Sequence, residues 1–337
     1  MGREEEHAVN WNGVPVLVTG AAGFIGSHVT ELLVRRGARV RPFVRYNSTR
    51  NLGWLAHLDP AIQQELDVVA GDLGDAEAVL QAARGVEMIF HLGAMISIPY
   101  SYAHPREVVE TNVIGTLNIL TAARDLGVKR VIHTSTSEVY GTARFVPIDE
   151  NHPLQGQSPY SASKIGADKL AESFFCSYEL PVVTVRPFNA YGPRQSLRGV
   201  IPTILVQALT RDRIQLGDLS TKRDFTYVED TAAGFIRAAE VDEAVGEVFN
   251  IGSGREISIG DLVEEVFSIT GRRLPVEQEA KRLRPTRSEV RRLWADSSKA
   301  ARILGWRPQV DLREGLERTL EWVNDHLDRF PADNYVV

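Results

Sequence analysis

The run Val14-Pro15-Val16-Leu17-Val18-Thr19, followed at once by Gly20-Ala21-Ala22-Gly23-Phe24-Ile25-Gly26, constrains this chain more than any other segment. A short apolar run bounded by turn signals reads as a strand, and the pattern that continues to Leu33 reads as a helix. Strand, glycine turn and helix together suit a dinucleotide. Gly20, Gly23 and Gly26 let the backbone approach a pyrophosphate closely, and the first helical turn, which carries Phe24 and Ile25, offers unpaired amides and a positive dipole end. The spacing is G-x-x-G-x-x-G, which departs from the G-x-G-x-x-G dinucleotide fingerprint.

Short apolar runs at residues 14–19, 39–44, 64–70, 88–92, 130–135 and 182–186 alternate with helical patterns. Such alternation predicts an α/β fold, a Rossmann-type doubly wound parallel sheet with ligands at the carboxyl ends of its strands. After Asn189 the pattern breaks up, punctuated by Pro193, Pro202, Gly217, Gly254, Pro275 and Pro285. Val248-Phe249-Asn250-Ile251 reads as a strand returning to the large sheet, so the second, smaller α/β domain is interleaved with the first. The expected division is a polar leader at 1–12, with Glu4-Glu5-Glu6; a dinucleotide-binding domain at 13–188 plus a returning segment at about 224–251; and a substrate domain at 189–223 and 252–337. A length of 337 residues, 43% of them hydrophobic, supplies enough core for two such units. The net charge of -6 comes with no basic stripe, which argues against nucleic acid as a partner. Cys176 is the single cysteine, so no intramolecular disulfide forms and no metal cluster is expected. With no long apolar segment or signal-like start, the expectation is a cytoplasmic protein without membrane contact.

Ser135-Thr136-Ser137-Glu138-Val139-Tyr140-Gly141 and Tyr160-Ser161-Ala162-Ser163-Lys164 carry the chemistry. Tyr160 and Lys164 are four apart on a predicted helix and share a face, so the ammonium can favour the phenolate. A free phenol titrates near ~10, and a base working near neutrality needs that value lowered by about 3, worth about 4 kcal/mol. One charge about 4 Å away, at an effective dielectric of about 20, supplies ~4 kcal/mol. Tyr160 is thereby a candidate base for a hydroxyl whose carbon loses hydride.

Together the glycine turn and the Y-x-x-x-K pair resemble the extended, nucleotide-sugar-modifying branch of the short-chain dehydrogenases/reductases. The likeness covers nearly the whole chain, through Gly71-Asp72-Leu73, His91-Leu92-Gly93-Ala94, Asn112, Arg186-Pro187-Phe188-Asn189 and Lys222-Arg223-Asp224-Phe225 in family order. It implies cofactor contacts at Asp72, Leu73, Leu92, Ala94 and Asn112, in addition to the glycine turn, Tyr160 and Lys164. NAD-preferring relatives carry an acid at the end of the second strand, where this chain has Phe43-Val44-Arg45-Tyr46-Asn47-Ser48. Arg45, helped by Ser48 and Arg50, suits a 2'-phosphate, so NADP is favoured; if Arg45 instead stacks on adenine, NAD serves.

Glu138 discriminates among activities, because sugar 4-epimerases of this branch usually carry a small residue there. Thr136-Ser137-Glu138 is similar to the block of nucleotide-hexose 4,6-dehydratases and of nucleotide-glucuronate decarboxylases. A dehydratase role implies Tyr160 as base on the 4-hydroxyl, Thr136 bonded to that oxygen and Glu138 removing the carbon-5 proton. Either Glu138 also protonates the departing 6-hydroxyl or Ser137 relays a proton through water. Further likeness, in Arg194-Gln195-Ser196, Arg282-Leu283-Arg284-Pro285 and Leu293-Trp294-Ala295-Asp296, is to the dehydratase type of legionaminic-acid biosynthesis. That type implies nucleotide-linked N-acetylglucosamine, retention at carbon 5, and a diphosphate held by Arg223 and Arg287 with Asn189 as its floor. UDP and GDP are not separated by these residues. Decarboxylation of UDP-glucuronate or 4-epimerisation of a UDP-hexose is the alternative, and a non-enzymatic redox-sensing protein a third. A homodimer joined by helices is also expected from the resemblance.

Overall fold

The computed structural model of the protein describes residues 9–49 and 51–330, so Glu4-Glu5-Glu6 and Arg50 lie outside the described residues. Seven parallel strands form one sheet: β1 (Pro15–Thr19), β2 (Arg39–Arg45), β3 (Val69–Gly71), β4 (Met88–His91), β5 (Arg130–Thr134), β6 (Val182–Pro187) and the strand Val248–Ile251. Starting from Val248–Ile251, their order is β6, β5, β4, β1, β2, β3. Val16 of β1 stands opposite Val40 of β2 on one side and Met88 of β4 on the other. Strand order therefore reverses between β1 and β4, which opens a crevice beyond their carboxyl ends.

Both faces of the sheet are covered, which explains runs that are apolar throughout instead of alternating. Val16 and Val18 of β1 enter one core with Leu33, Phe235 and Phe249, whereas Leu17 enters the opposite one with Ile89, Leu120 and Phe174. The returning strand pairs with β6, as Phe249 opposite Val185 shows. Trp11 is buried in the first core, and its indole N–H donates to Glu240 Oε1 at 2.8 Å.

One expected strand is mostly something else. Of residues 64–70, only Val69 and Ala70 join the ladder to β2, with Gly71 beyond them. Gln64 closes a short helix, Pro60–Gln64, started by Pro60 at its first position and by the Asp59 carboxylate, which accepts from the Ala61 amide at 2.8 Å.

A second apolar core gathers the helices Val200–Thr210, Ile259–Thr270 and Leu312–Asp325 around Tyr191, Phe225 and Tyr227. Short pairs, Asn189–Tyr191 with Phe225–Tyr227 and Lys222–Arg223 with Ile257–Ser258, connect it to the sheet's carboxyl edge. Val139, Tyr140, Phe188, Val290 and Leu293 form a small cluster that joins the turn after β5 to this second body. Phe249 is fully buried in the returning strand. Phe249→Ala is therefore expected to lower the unfolding free energy by about 3–5 kcal/mol in urea denaturation; a loss under about 1 kcal/mol would place that strand outside the core.

Candidate active site

The turn between β1 and the helix Phe24–Arg35 is built for close approach. Gly20 has φ +69, and a Cβ there would lie 2.7 Å from the Gly93 nitrogen; a Cβ on Gly26 would lie 2.2 Å from the Gly20 carbonyl oxygen. Gly23 caps the helix without a side chain, and its first turn holds no acid, so its amides face the crevice uncompensated. A cavity of about 200 Å³ opens there, with Gly20, Arg45, Asp72, Leu73 and Ala94 among its walls. Free amides, absent carboxylates at the helix start and glycines pressed on backbone fit a dinucleotide pyrophosphate.

The remaining residues expected at the cofactor are placed as follows. Leu92 donates its amide to the Thr19 carbonyl at 3.2 Å, Ile25 packs on the first core, and Phe24 faces a neighbouring cavity. Ser48 is exposed and does not line the crevice. Arg45 is 71% exposed, 3.9 Å from Asp72 and 3.8 Å from Glu107. Asn112 is buried in a π-turn, Glu110–Ile114, and works as a clamp: its Oδ1 accepts from the Met95 amide at 2.7 Å, while Nδ2 donates to the Met95 carbonyl and to Ser163 Oγ, both at 2.9 Å. It thereby ties the loop after β4 to the helix that carries Tyr160.

That helix, Pro159–Tyr178, starts at a capping box in which Ser158 and Ser161 satisfy each other's amides, with Pro159 at the first position. Tyr160 and Lys164 follow on one face, both buried. Lys164 Nζ donates to the Thr134 carbonyl at 2.5 Å, and Thr136, just beyond β5, hydrogen-bonds the Tyr160 phenol. The expected lowering of the phenol by Lys164 meets an opposing effect. Burial raises Tyr160 above the ordinary phenol value; the Thr136 bond lowers it, and the Glu138 and Asp168 carboxylates raise it. Lys164 is brought down to about 8 by burial, against the pull of Asp168.

Ser137 and Glu138 sit on the 3-10 turn Ser137–Tyr140, where the Thr136 hydroxyl accepts from the Glu138 amide at 3.2 Å. Thr136 therefore caps this turn, which leaves the Glu138 carboxylate for another use. It lies 4.0 Å from Arg284 Nη1. A second cavity of about 370 Å³ is lined by Asn189, Arg223, Arg282, Arg284 and Glu289 among others. Arg223 is buried and contacts Glu289 at 3.2 Å, not its neighbour Asp224, whose carboxylate instead accepts from Ser253, Gly254 and Ala295. Burial lifts Asp224 to about 6 despite those bonds. Asn189 Oδ1 and Arg284 Nη1 are buried without a hydrogen-bond partner, so both can take a ligand's polar atoms.

Arg287 is exposed and lies off this lining, whereas Arg284, three residues earlier, is on it. Arg284 and Glu289 receive no site role from the sequence; the arginine-rich run at 282–287 is the available signal, but an irregular segment gives no period by which to choose among its members. Asp168, four residues beyond Lys164, was also missed.

With this geometry in view, the GDP-mannose 4,6 dehydratase family model matches residues 17–319. The chain belongs to that family, the nucleotide-sugar dehydratases and epimerases of the extended short-chain dehydrogenase/reductase class, and is an enzyme of that class. It is 36% identical to the UDP-glucose 4-epimerase of Mycolicibacterium smegmatis over 91% of this chain and 97% of that one. The structure of the dTDP-glucose 4,6-dehydratase of Streptomyces venezuelae with NAD bound superposes with TM-score 0.84 at 33% identity, covering 94% of this chain and 99% of that one. A UDP-N-acetylglucosamine 4-epimerase from Methanobrevibacter ruminantium, at 30% identity, also gives 0.84 and covers 94% and 99%.

Gly26→Ala, which drives a methyl into the Gly20 carbonyl, is expected to weaken dinucleotide binding more than about tenfold in calorimetric titration. Binding unchanged within error would remove the glycine turn from the cofactor site.

Proposed function

We propose that this enzyme is a nucleotide-sugar 4,6-dehydratase that acts on UDP-N-acetylglucosamine, of the kind found in legionaminic-acid biosynthesis, with retention at carbon 5. The observation that carries this reading is Glu138, a carboxylate close enough to raise the Tyr160 phenol and 4.0 Å from an arginine lining the larger cavity. Epimerisation at carbon 4 needs no second base, whereas elimination across carbons 5 and 6 does.

Gly20, Gly23, Gly26, Arg45, Asp72, Leu73 and Ala94 would hold the dinucleotide, with Asn112 fixing the loop that passes it. When bound, NAD(P) supplies a hydride acceptor that is restored within each turnover and, oxidised, a positive charge that favours the phenolate. Tyr160 takes the proton of the 4-hydroxyl, and Thr136 holds that oxygen. Lys164, its charge kept near the pair, opposes the effect of burial. Once carbon 4 is a ketone, the carbon-5 proton is acidic, and Glu138 removes it as the 6-hydroxyl leaves as water. Glu138 delivers the leaving group's proton, or Ser137 does through water. Arg223 and Arg284 receive the diphosphate, with Asn189 below, whereas Arg287 stands outside the lining.

NADP is the favoured form and NAD the alternative. Arg45 in place of an acid, largely exposed and only loosely paired, supports the first; NAD in the Streptomyces venezuelae relative supports the second. We also propose a homodimer, supported by Val109, just before the π-turn, and Ile114, its last residue, which are 43% and 42% exposed. Among the described residues no helix is long and apolar enough to cross a membrane.

In deuterated water, UDP-N-acetylglucosamine is expected to lose water, gain a ketone and take up deuterium at carbon 5, read by NMR and mass; Glu138→Gln is expected to lower kcat about 10²–10⁴-fold. A gluco-to-galacto isomer without loss of water makes the enzyme an epimerase, and carbon dioxide released from UDP-glucuronate makes it a decarboxylase. Arg45→Ala is expected to weaken NADP about tenfold or more and to leave NAD nearly unchanged in fluorescence titration; equal loss for both marks adenine stacking instead.

A further inference from the structure

Asp168 lies on the same helix as Lys164, one turn further on, and is 5% exposed. Its Oδ1 is 3.0 Å from His133 Nε2. Its Oδ2 accepts from Ser135 Oγ at 2.7 Å and from Arg186 Nη2 and Nε at 3.0 and 3.2 Å. Residues 133 and 135 flank Thr134, whose carbonyl receives the Lys164 ammonium, and Thr136 follows with its bond to Tyr160. One carboxylate therefore grips β5 on both sides of the residue that holds Lys164. We propose that Asp168 is the positioning residue of the Tyr160–Lys164 pair: it fixes the end of β5 from which Thr134 and Thr136 reach the pair.

The charge of Asp168 acts on the same pair. Asp168 is held down at about 2 by its donors against burial, so it is ionised throughout the working range. Its charge is the one influence that raises Lys164 against burial. The other titratable and charged groups facing the pair are His91 from β4, His133 from β5, Arg186 from β6, and Glu138 and Tyr140 from the turn. Burial lowers both histidines and so keeps them neutral near pH 7. Arg186 divides its guanidinium between Asp168 and the Tyr140 hydroxyl, 3.0 Å away, and Tyr140 is pushed up to about 12. The Glu138 carboxylate acts on Tyr160, raising it. Removal of the Asp168 charge therefore shifts Lys164 and Tyr160 in the same direction, to lower pH.

The inference rests on Tyr160 and Lys164 as the acid/base pair, common to dehydration, epimerisation and decarboxylation, and not on the choice among them. Asp168→Asn, Asp168→Glu and Ser135→Ala are made in the full chain. In Asp168→Asn the lysine titration followed by NMR of ¹³C-labelled lysine, with Lys164 assigned through Lys164→Met, is expected to fall by roughly one pH unit from about 8. The basic limb of kcat/KM moves with it, while KM for the nucleotide sugar changes less than about threefold. Asp168→Glu is expected to restore the limb, and Ser135→Ala to keep the limb but lower kcat. An Asp168→Asn enzyme whose titration and limb stay at the parent's position overturns the proposal. Should that variant not fold, a parent-like kcat in Ser135→Ala overturns it equally. A parent that turns over no nucleotide sugar defeats the proposed function alone, since the NMR titration still decides the role of Asp168.

Discussion

The buried carboxylate of Asp168 is an expensive group, because an ion taken out of water must be repaid by partners of good geometry. Here it finds four donors from three residues, His133 and Ser135 at the end of β5 and Arg186 on β6. The same helix carries Tyr160 and Lys164, so this bond set fixes how the helix lies across the strands that supply Thr134 and Thr136. The chain continues outward from Arg186 through Tyr140 to Asn250, which also donates to the Ile148 carbonyl at 3.0 Å. One polar seam thus runs from the reactive pair to the returning strand. Among the seam's members only His133 Nδ1 is buried without a hydrogen-bond partner, and a seam otherwise satisfied favours a single packing.

Electrostatics on the two sides of Tyr160 are divided. On the helix side the network holds charge that is permanent over the working range. On the cavity side Arg284 lies within ion-pair reach of Glu138 and Glu289, and Glu289 of Arg223, two guanidinium and two carboxylate groups in a row. In the proposed reading, a diphosphate entering that cavity would compete with Glu289 for Arg223 and with both carboxylates for Arg284, so binding of the nucleotide half would loosen the contact between Arg284 and Glu138.

Much of the fold was legible because parallel strands buried on both faces leave runs without alternation, and because the glycine turn has no other economical use. The pair Tyr160 and Lys164 was legible because a helix puts residues four apart on one face. What sequence did not show has physical reasons. The run at 64–70 shortened because Asp59 and Pro60 start a helix inside an apolar stretch too brief to declare its period. Arg284 could not be told from Arg287 because an irregular loop assigns directions only through tertiary contacts. The phenol's rise came from burial, which no spacing encodes, and Asp168 gained its meaning only when β5, β6 and one helix met.

The path of the backbone between the two bodies bears on how such an enzyme changes its substrate over evolutionary time. The chain leaves the sheet after Pro187, returns with the helix Val228–Glu240 and the strand Val248–Ile251, then leaves again into the helix Ile259–Thr270. Neither body is a continuous cassette. Exchange of the second body with that of a relative cannot proceed by a single recombination event without cutting the sheet's edge. Point substitutions and short loop replacements around the cavity leave the sheet uncut, which fits a family whose members keep one frame and differ in the sugars they turn over.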